Sequence, residues 1–285
     1  MIIDSHIHLF SDKIISNHTD YFRDKNFSLL YNNINSKIIC AKDILTDDAV
    51  SDIDYFFVLG FSWENISDCV SHNEYFKTLK NPRFLKFASV PSKPFDNIDE
   101  YFRSLKNDGF IGIGEVSFYH STNSSEEYRY LSDIFRYAGK NGLIVNMHVN
   151  ENVGHNYTGK YYTDFRRLYE TIQNNRETNI ILSHWGGGLL FYELMPEVEK
   201  AFSRVYYDTA ASPYLYKKDI YKVASQICGS KKILFGSDYP LIKPERYLKE
   251  INNTELSEND ILLITGLNAE NLVKKISPDI FKIKD

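Results

Sequence analysis

The side chains in this sequence best suited to chemistry are histidines and carboxylates, and their densest group is Asp4-Ser5-His6-Ile7-His8. On a β-strand, alternate residues share a face, so Asp4, His6 and His8 point the same way. Same-side neighbours lie roughly 6–7 Å apart along a strand, which lets two imidazoles converge on one ion. A lone His-x-His occurs often by chance, as ordinary polar residues where a strand leaves the core. Four further residues make this one informative. Glu115 follows Phe-Ile-Gly-Ile-Gly, His148 follows Leu-Ile-Val-Asn-Met, His184 follows Ile-Ile-Leu-Ser, and Asp238 follows Ile-Leu-Phe-Gly-Ser. Each stands at the C-terminal end of a separate apolar run. The gaps from Glu115 to His148 and from His148 to His184 each suit one strand–helix unit, and that from His184 to Asp238 suits two.

Imidazole and carboxylate without thiolate suit zinc, manganese or iron, with zinc first on ligand type. A catalytic ion of this kind lowers the pKa of its bound water to about 7. Asp238 and His184 are the candidates to accept the proton that such a water loses. Tyr119, His120, Asn150, Glu151, Tyr157, Trp185, Ser212, Tyr214 and Tyr239 follow the strands and are candidates for the wall of a small-molecule pocket. Among them Tyr119, His120, Trp185 and Tyr239 are taken as substrate contacts. No arginine clamp stands among them, since Arg166 and Arg167 fall in a helical stretch; this disfavours a dicarboxylate or a phosphate ester. His18, His72 and His155 read as solvated. Asp208 is read equally as a substrate contact or a loop cap.

Placing these residues together requires a repeating frame. Candidate strands run over 1–6, 54–60, 84–90, 110–116, 143–149, 179–184, 205–208 and 232–236, several of them continuous apolar runs of the kind that a sheet covered on both faces requires. Amphipathic stretches over 97–106, 127–140, 163–174 and 193–202 lie between them, with Ile98, Tyr101, Phe102 and Leu105 marking one buried helix face. Strands alternating with helices imply parallel β-α-β units. Eight of them suit one distorted (β/α)8 barrel spanning 1–285, whose active sites lie at the C-terminal ends of the strands; a doubly wound open sheet is the alternative. The G-x-G-x-x-G dinucleotide pattern does not occur, and Gly186-Gly187-Gly188 lacks the Lys-Ser/Thr of a phosphate loop.

Composition narrows the setting. With 285 residues, 43% of them hydrophobic, the chain can build a substantial core. Its formal charge of −5 is not that of a nucleic-acid binder. Cys40, Cys69 and Cys228 are odd in number and widely spaced, which argues against a disulfide scaffold and for a reducing compartment. Neither a secretory leader nor an 18-residue apolar run is present, so a cytoplasmic protein without a membrane span is expected; a homo-oligomer is left open.

At the same residues the chain resembles the amidohydrolase superfamily, in the group often called amidohydrolase 2. The matching pieces are Ile3-Asp4-Ser5-His6-Ile7-His8, Met147-His148, Leu182-Ser183-His184-Trp185-Gly186-Gly187, Tyr207-Asp208-Thr209, Phe235-Gly236-Ser237-Asp238-Tyr239-Pro240 and Gly266-Leu267-Asn268-Ala269-Glu270-Asn271-Leu272. The resemblance implies a TIM barrel with metal on His6, His8, His148 and Asp238, and with His184 catalytic or bound to a second ion. Asn268 is expected to cap a last helix docked on the barrel base. Gly114-Glu115-Val116 departs from the group and looks like the segment of TatD-type nucleases in which a glutamate bridges two ions; otherwise Glu115 orients a ligand histidine. The resemblance thus implies one or two ions per chain and a hydrolase acting on small amide or ester-type bonds. A non-oxidative decarboxylase similar to aminocarboxymuconate-semialdehyde decarboxylase, a TatD-like phosphodiesterase and a metal-binding protein without turnover are the alternatives.

Overall fold

A computed structural model describes residues 1–33 and 36–281. Its frame is eight strands: β1 (Ile3–His8), β2 (Tyr55–Leu59), β3 (Phe84–Ala88), β4 (Gly112–Val116), β5 (Ile144–Met147), β6 (Ile180–Leu182), β7 (Val205–Asp208) and β8 (Ile233–Leu234). They lie side by side in chain order, and every adjacent pair is parallel. The last strand returns to the first. Ser5 N–H donates to the Phe235 carbonyl at 2.8 Å, Asp238 N–H to the His6 carbonyl at 2.9 Å, and His8 N–H to the Tyr239 carbonyl at 3.1 Å. The fold is therefore the (β/α)8 barrel, and the open sheet is excluded.

All eight expected strands form; β7 has its expected ends and the other seven are altered. β1 starts at Ile3 and runs to His8, so both histidines belong to it. β6 and β8 are short because the chain beyond them enters left-handed backbone at His184 (φ 57°), Trp185 (φ 59°) and Asp238 (φ 60°). That conformation cannot continue a ladder of extended residues. The helix Ser125–Lys140 is capped by Ser124, whose hydroxyl accepts from Glu127 N–H, and it buries Tyr130, Leu131, Ile134, Phe135 and Ala138. The helix expected over 193–202 is confined to Pro196–Ala201. A proline fits the first helical position but biases the residue before it towards extended backbone, here Met195 with ψ 120°.

The barrel interior is layered. Phe57, Phe87, Ile144, Ile181, Tyr206 and Leu234 form an apolar floor together with Ala269, Leu272 and Val273 of the final helix, Asn268–Lys274. Two residues further along the same inward faces the side chains turn polar, as Asn146 follows Ile144 and Asp208 follows Tyr206. The final helix docks on the base as expected, and the backbone is close there: a Cβ at Gly266 would lie 2.1 Å from the Met1 carbonyl oxygen. Asn268 is not its cap. It is the first residue of a helix that continues from a π-turn over Leu263–Leu267, and its amide donates to the Ser230 and Ile233 carbonyls at 2.7 and 2.8 Å. The long β1–β2 connection carries the short helix Lys25–Tyr31 and packs Phe10, Ile14 and Phe27 against Phe61 and Trp63. No helix among the described residues is long and apolar enough to cross a membrane.

Candidate metal centre

The six ligand-type residues converge at the C-terminal mouth of the barrel. His6 and His8 leave the same face of β1, with their Nε2 atoms 3.2 Å apart. Asp238 Oδ1 lies 3.6 Å from His6 Nε2 and 3.7 Å from His8 Nε2. Glu115, at the end of β4, stands between this group and the remaining histidines. Its Oε1 is 3.6 Å from His6 Nε2, 3.0 Å from His148 Nδ1 and 3.4 Å from His184 Nε2, and its Oε2 is 3.9 Å from His8 Nε2. His148 Nδ1 and His184 Nε2 are 3.0 Å apart. Two sets of donor atoms, His6–His8–Asp238 and His6–Glu115–His184, each lie mutually within 4.8 Å.

The backbone around the strand ends explains how these groups are aimed. Left-handed φ at His184 and Asp238 is unfavourable for residues with a Cβ and persists only where the surroundings enforce it. At Asp238 they do so through its N–H on the His6 carbonyl and through Asp4. Asp4 shares its strand face with the histidines but does not join them. Its Oδ1 accepts from Ser237 N–H at 2.9 Å and its Oδ2 from the Ser237 hydroxyl at 2.5 Å, which fixes the turn that presents Asp238. Burial pushes the Asp4 carboxyl up to about 7. At His184, the chain turns over Gly186 to Gly188, all at positive φ, and a Cβ at Gly187 would stand 2.2 Å from the Asn150 carbonyl oxygen.

Hydrogen bonds also set which ring nitrogen faces the centre. His6 Nδ1 donates to Asp208 Oδ2 at 2.9 Å, which turns Nε2 inward. Asp208 Oδ1 accepts from the N–H groups of His184 (2.9 Å) and Ala210 (3.1 Å). Asp208 is thus neither a substrate contact nor a simple loop cap; it orients one histidine and the backbone of another. His184 Nδ1 donates to the Ala210 carbonyl at 3.0 Å, which turns its Nε2 to the centre. The Tyr161 ring stacks on His148, with centroids 5.7 Å apart, and its hydroxyl donates to the His148 carbonyl at 2.8 Å.

The electrostatics fit a cation. Burial alone would lower His6 and His184, yet Asp208 and Glu115 draw His6 up to about 10, and Glu115 draws His184 up to about 9. Burial would raise Glu115, but His148 and His6 hold it well below the usual carboxylate range. His8, by contrast, is lowered by burial and by His6. Carboxylates that hold extra protons on buried imidazoles form a field that a divalent ion can satisfy by displacing those protons. His8 Nδ1 and His148 Nε2 are buried without a hydrogen-bond partner, and the facing nitrogens of His6 and His8 share a gap bordered by two acids. Donors of this type, all nitrogen and oxygen, suit zinc, manganese or iron(II).

A cavity of about 770 Å³ opens on this centre, lined by His8, Glu115, His148, His184 and Asp238 and walled by aromatic rings. Of the four expected substrate contacts, Tyr119 lines it. Trp185 does not: it is fully buried, donating to the Ser212 hydroxyl at 2.9 Å and packing on Tyr221. Tyr239 is buried with its hydroxyl on Asp47, and His120 is exposed outside the cavity wall. His155 lines the cavity mouth. His18 and His72 are buried rather than solvated, His72 accepting from Trp63 Nε1–H at 3.0 Å and donating to the Leu9 carbonyl at 3.0 Å. Phe10, Tyr31 and Phe61 also line the cavity; they lie outside the His/Asp/Glu pattern, so nothing in the sequence marks them.

No curated protein sequence matches the chain. It is similar in structure to 5-carboxyvanillate decarboxylase LigW from Sphingomonas paucimobilis, with a TM-score of 0.73 and 11% identity over 96% of this chain and 98% of that one. It is also similar to a dihydroxybenzoic acid decarboxylase from Polaromonas sp. JS666, solved with bound manganese and 2-nitroresorcinol (TM-score 0.67, 17% identity, 98% of both chains). A 2,6-dihydroxybenzoate decarboxylase from Rhizobium is a third, at TM-score 0.59 and 15% identity over 96% of this chain and 98% of that one. The sequence profile of the amidohydrolase family matches residues 3–275, so this chain belongs to that family.

Proposed function

We propose that the chain is a divalent-metal-dependent hydrolase of small acyl compounds, with His6, His8, Asp238, Glu115, His148 and His184 as ligands. The observation that carries this reading is Glu115, whose carboxylate lies within 3.9 Å of imidazole nitrogens from four histidines. Ions bound here would be held by His6, His8 and Asp238 and by His148 and His184, with Glu115 available to both groups. Bound there, a divalent cation supplies an acidified water and a Lewis-acid contact for a carbonyl oxygen. Asp238, on the cavity wall, takes the proton of the attacking water and returns it to the leaving group. His184 keeps Nδ1–H on the Ala210 carbonyl, which presents its other nitrogen as ligand or as acceptor. Asp208 holds His6 in the tautomer that a ligand needs.

Decarboxylation is the second reading, and it is favoured by the similar solved structures, which are named as decarboxylases. On this scaffold a single ion would hold the substrate carboxylate and no water would react. One experiment separates the two. Protein loaded with zinc or manganese is assayed for ions per chain, for cleavage of 4-nitrophenyl acetate and acetanilide, and for carbon dioxide release from 2,6-dihydroxybenzoate. The hydrolase reading expects about two ions, falling to about one in Glu115→Gln, with ester or amide cleavage. One ion in the native protein, together with carbon dioxide release and no acyl cleavage, would decide for decarboxylation.

A further inference from the structure

We propose that Tyr31 is a specificity-determining donor of the cavity: its hydroxyl hydrogen-bonds a compound whose reactive group lies at the Glu115–Asp238 end and whose remaining part is an uncharged ring. The reacting group is taken from the hydrolase reading; the binding role of Tyr31 stands on separate observations.

The first is that Tyr31 is held in place from several sides. The helix Lys25–Tyr31 is anchored by Asp24, which accepts from Phe27 N–H at 2.9 Å and Glu64 N–H at 2.7 Å. Asn26 donates to the Ser62 carbonyl at 2.7 Å and to the Ser92 hydroxyl at 2.9 Å. Both side chains are buried. Beyond them, Leu30 abuts the loop after β5, where a Cβ at Gly159 would lie 2.6 Å from its methyl. The Tyr31 ring packs on Phe27, Phe10 and Phe61 with centroids 5.0, 5.4 and 5.9 Å apart. A group locked by such packing is ready to bind without reordering.

The second observation is the hydroxyl itself. Four tyrosines spend theirs inside the protein: Tyr130 on the Pro91 carbonyl, Tyr161 on the His148 carbonyl, Tyr207 on Glu193 and Tyr247 on the Ser237 carbonyl, while Tyr221, fully buried, leaves its hydroxyl unpaired away from the cavity. Tyr31 has no hydrogen-bond partner among the described residues, and it lines the cavity that holds the metal-ligand candidates. Tyr31 is half-buried, so its hydroxyl is free to donate to an acceptor on a ligand held in the cavity. Burial, with the Asp238 and Glu115 carboxylates beyond it, keeps the phenol protonated, as a donor must be.

The third concerns charge. Away from the metal-ligand candidates the cavity wall combines Phe10, Leu30, Phe61 and Tyr119 with the uncharged polar Asn150 and Tyr157 and has, among the described residues, no arginine; its one lysine, Lys37, and His155 are exposed at the mouth. A second anionic group on the ligand would find no buried cation on this wall to offset its lost hydration.

Phenylphosphonate and 3-carboxyphenylphosphonate serve as probes, titrated calorimetrically into zinc-loaded protein. Native protein is expected to bind phenylphosphonate and to bind the carboxylated analogue at least tenfold more weakly. Tyr31→Phe, which keeps the ring in its aromatic niche, is expected to weaken phenylphosphonate by about 10-fold or more with zinc content and melting temperature unchanged. Equal affinity in native and Tyr31→Phe protein, no binding to native protein, or equal affinity for the two probes would overturn the proposal. Tyr31-dependent binding in a protein that cleaves neither ester nor amide would refute the hydrolase reading and leave the role of Tyr31 standing.

Discussion

Asp208→Asn is the sharpest perturbation of the proposed metal centre, because it changes one atom without changing shape. Asp208 is fully buried, and its Oδ2 accepts from His6 Nδ1 at 2.9 Å while its Oδ1 holds the N–H groups of His184 and Ala210. In the asparagine the carbonyl oxygen can keep the two backbone bonds, so an amide NH₂ faces His6 Nδ1. That forces the ring to accept at Nδ1 and to carry its proton on Nε2, where the ligand lone pair is needed. Besides the long bond that Oδ2 accepts from Asn146 Nδ2 at 3.3 Å, the loss that bears on His6 is one charge-assisted hydrogen bond, about 1.5–3 kcal/mol. With about 1.4 kcal/mol per factor of ten, metal affinity should fall roughly 10- to 100-fold, the range also expected for a partner of a ligand histidine. The assay is competition for zinc against a chelator of known affinity, with melting temperature measured on chelator-treated protein to confirm that the fold is kept. Unchanged zinc affinity in Asp208→Asn would refute the assignment of His6 as a ligand through Nε2.

Two further expectations concern stability. Burial lowers His72 to about 4, and its neutral ring satisfies both Trp63 and the Leu9 carbonyl. The unfolded histidine binds a proton below its usual 6.5 while the folded one resists until about 4, so stability falls as pH drops across that window, by on the order of 3 kcal/mol at most. His72→Gln can make both hydrogen bonds without titrating, so chelator-treated variant should show a flatter melting temperature between pH 4 and 6.5; identical slopes would contradict this. Gly187→Ala places a methyl 2.2 Å from the Asn150 carbonyl oxygen at φ 60°, whereas Gly109→Ala, at φ 83°, meets nothing within 4 Å. The second should cost about 1 kcal/mol for left-handed backbone. The first should cost more and also weaken zinc binding by displacing His184; thermal melts and chelator competition on both variants check this.

How much of this was legible in order alone depends on the range of the interaction concerned. Alternation along β1, the apolar runs before Glu115, His148, His184 and Asp238, and the rhythm of strand and helix are local properties, and they sufficed for the barrel and for the residues that meet at its mouth. Helix ends were less legible where a proline or a left-handed residue intervened, as at Pro196. Asn268 looked like a cap because its type suits one, but its partners lie on the Ser230 turn and β8, which no local pattern reveals.

Tertiary structure alone decided what each polar side chain does once gathered. Trp185 and Tyr239 follow their strands as Tyr119 does, yet left-handed backbone at His184, Trp185 and Asp238 turns them into the core, and only Tyr119 reaches the cavity. Asp208 became the partner of His6 because closure of the barrel leaves only β8 between β7 and β1. Tyr31 entered the cavity because buried anchors tie a helix from the β1–β2 connection to the loops after β2 and β3. Side-chain periodicity is written in adjacent residues, whereas contacts between strands and loops distant in the chain depend on how the whole sheet closes.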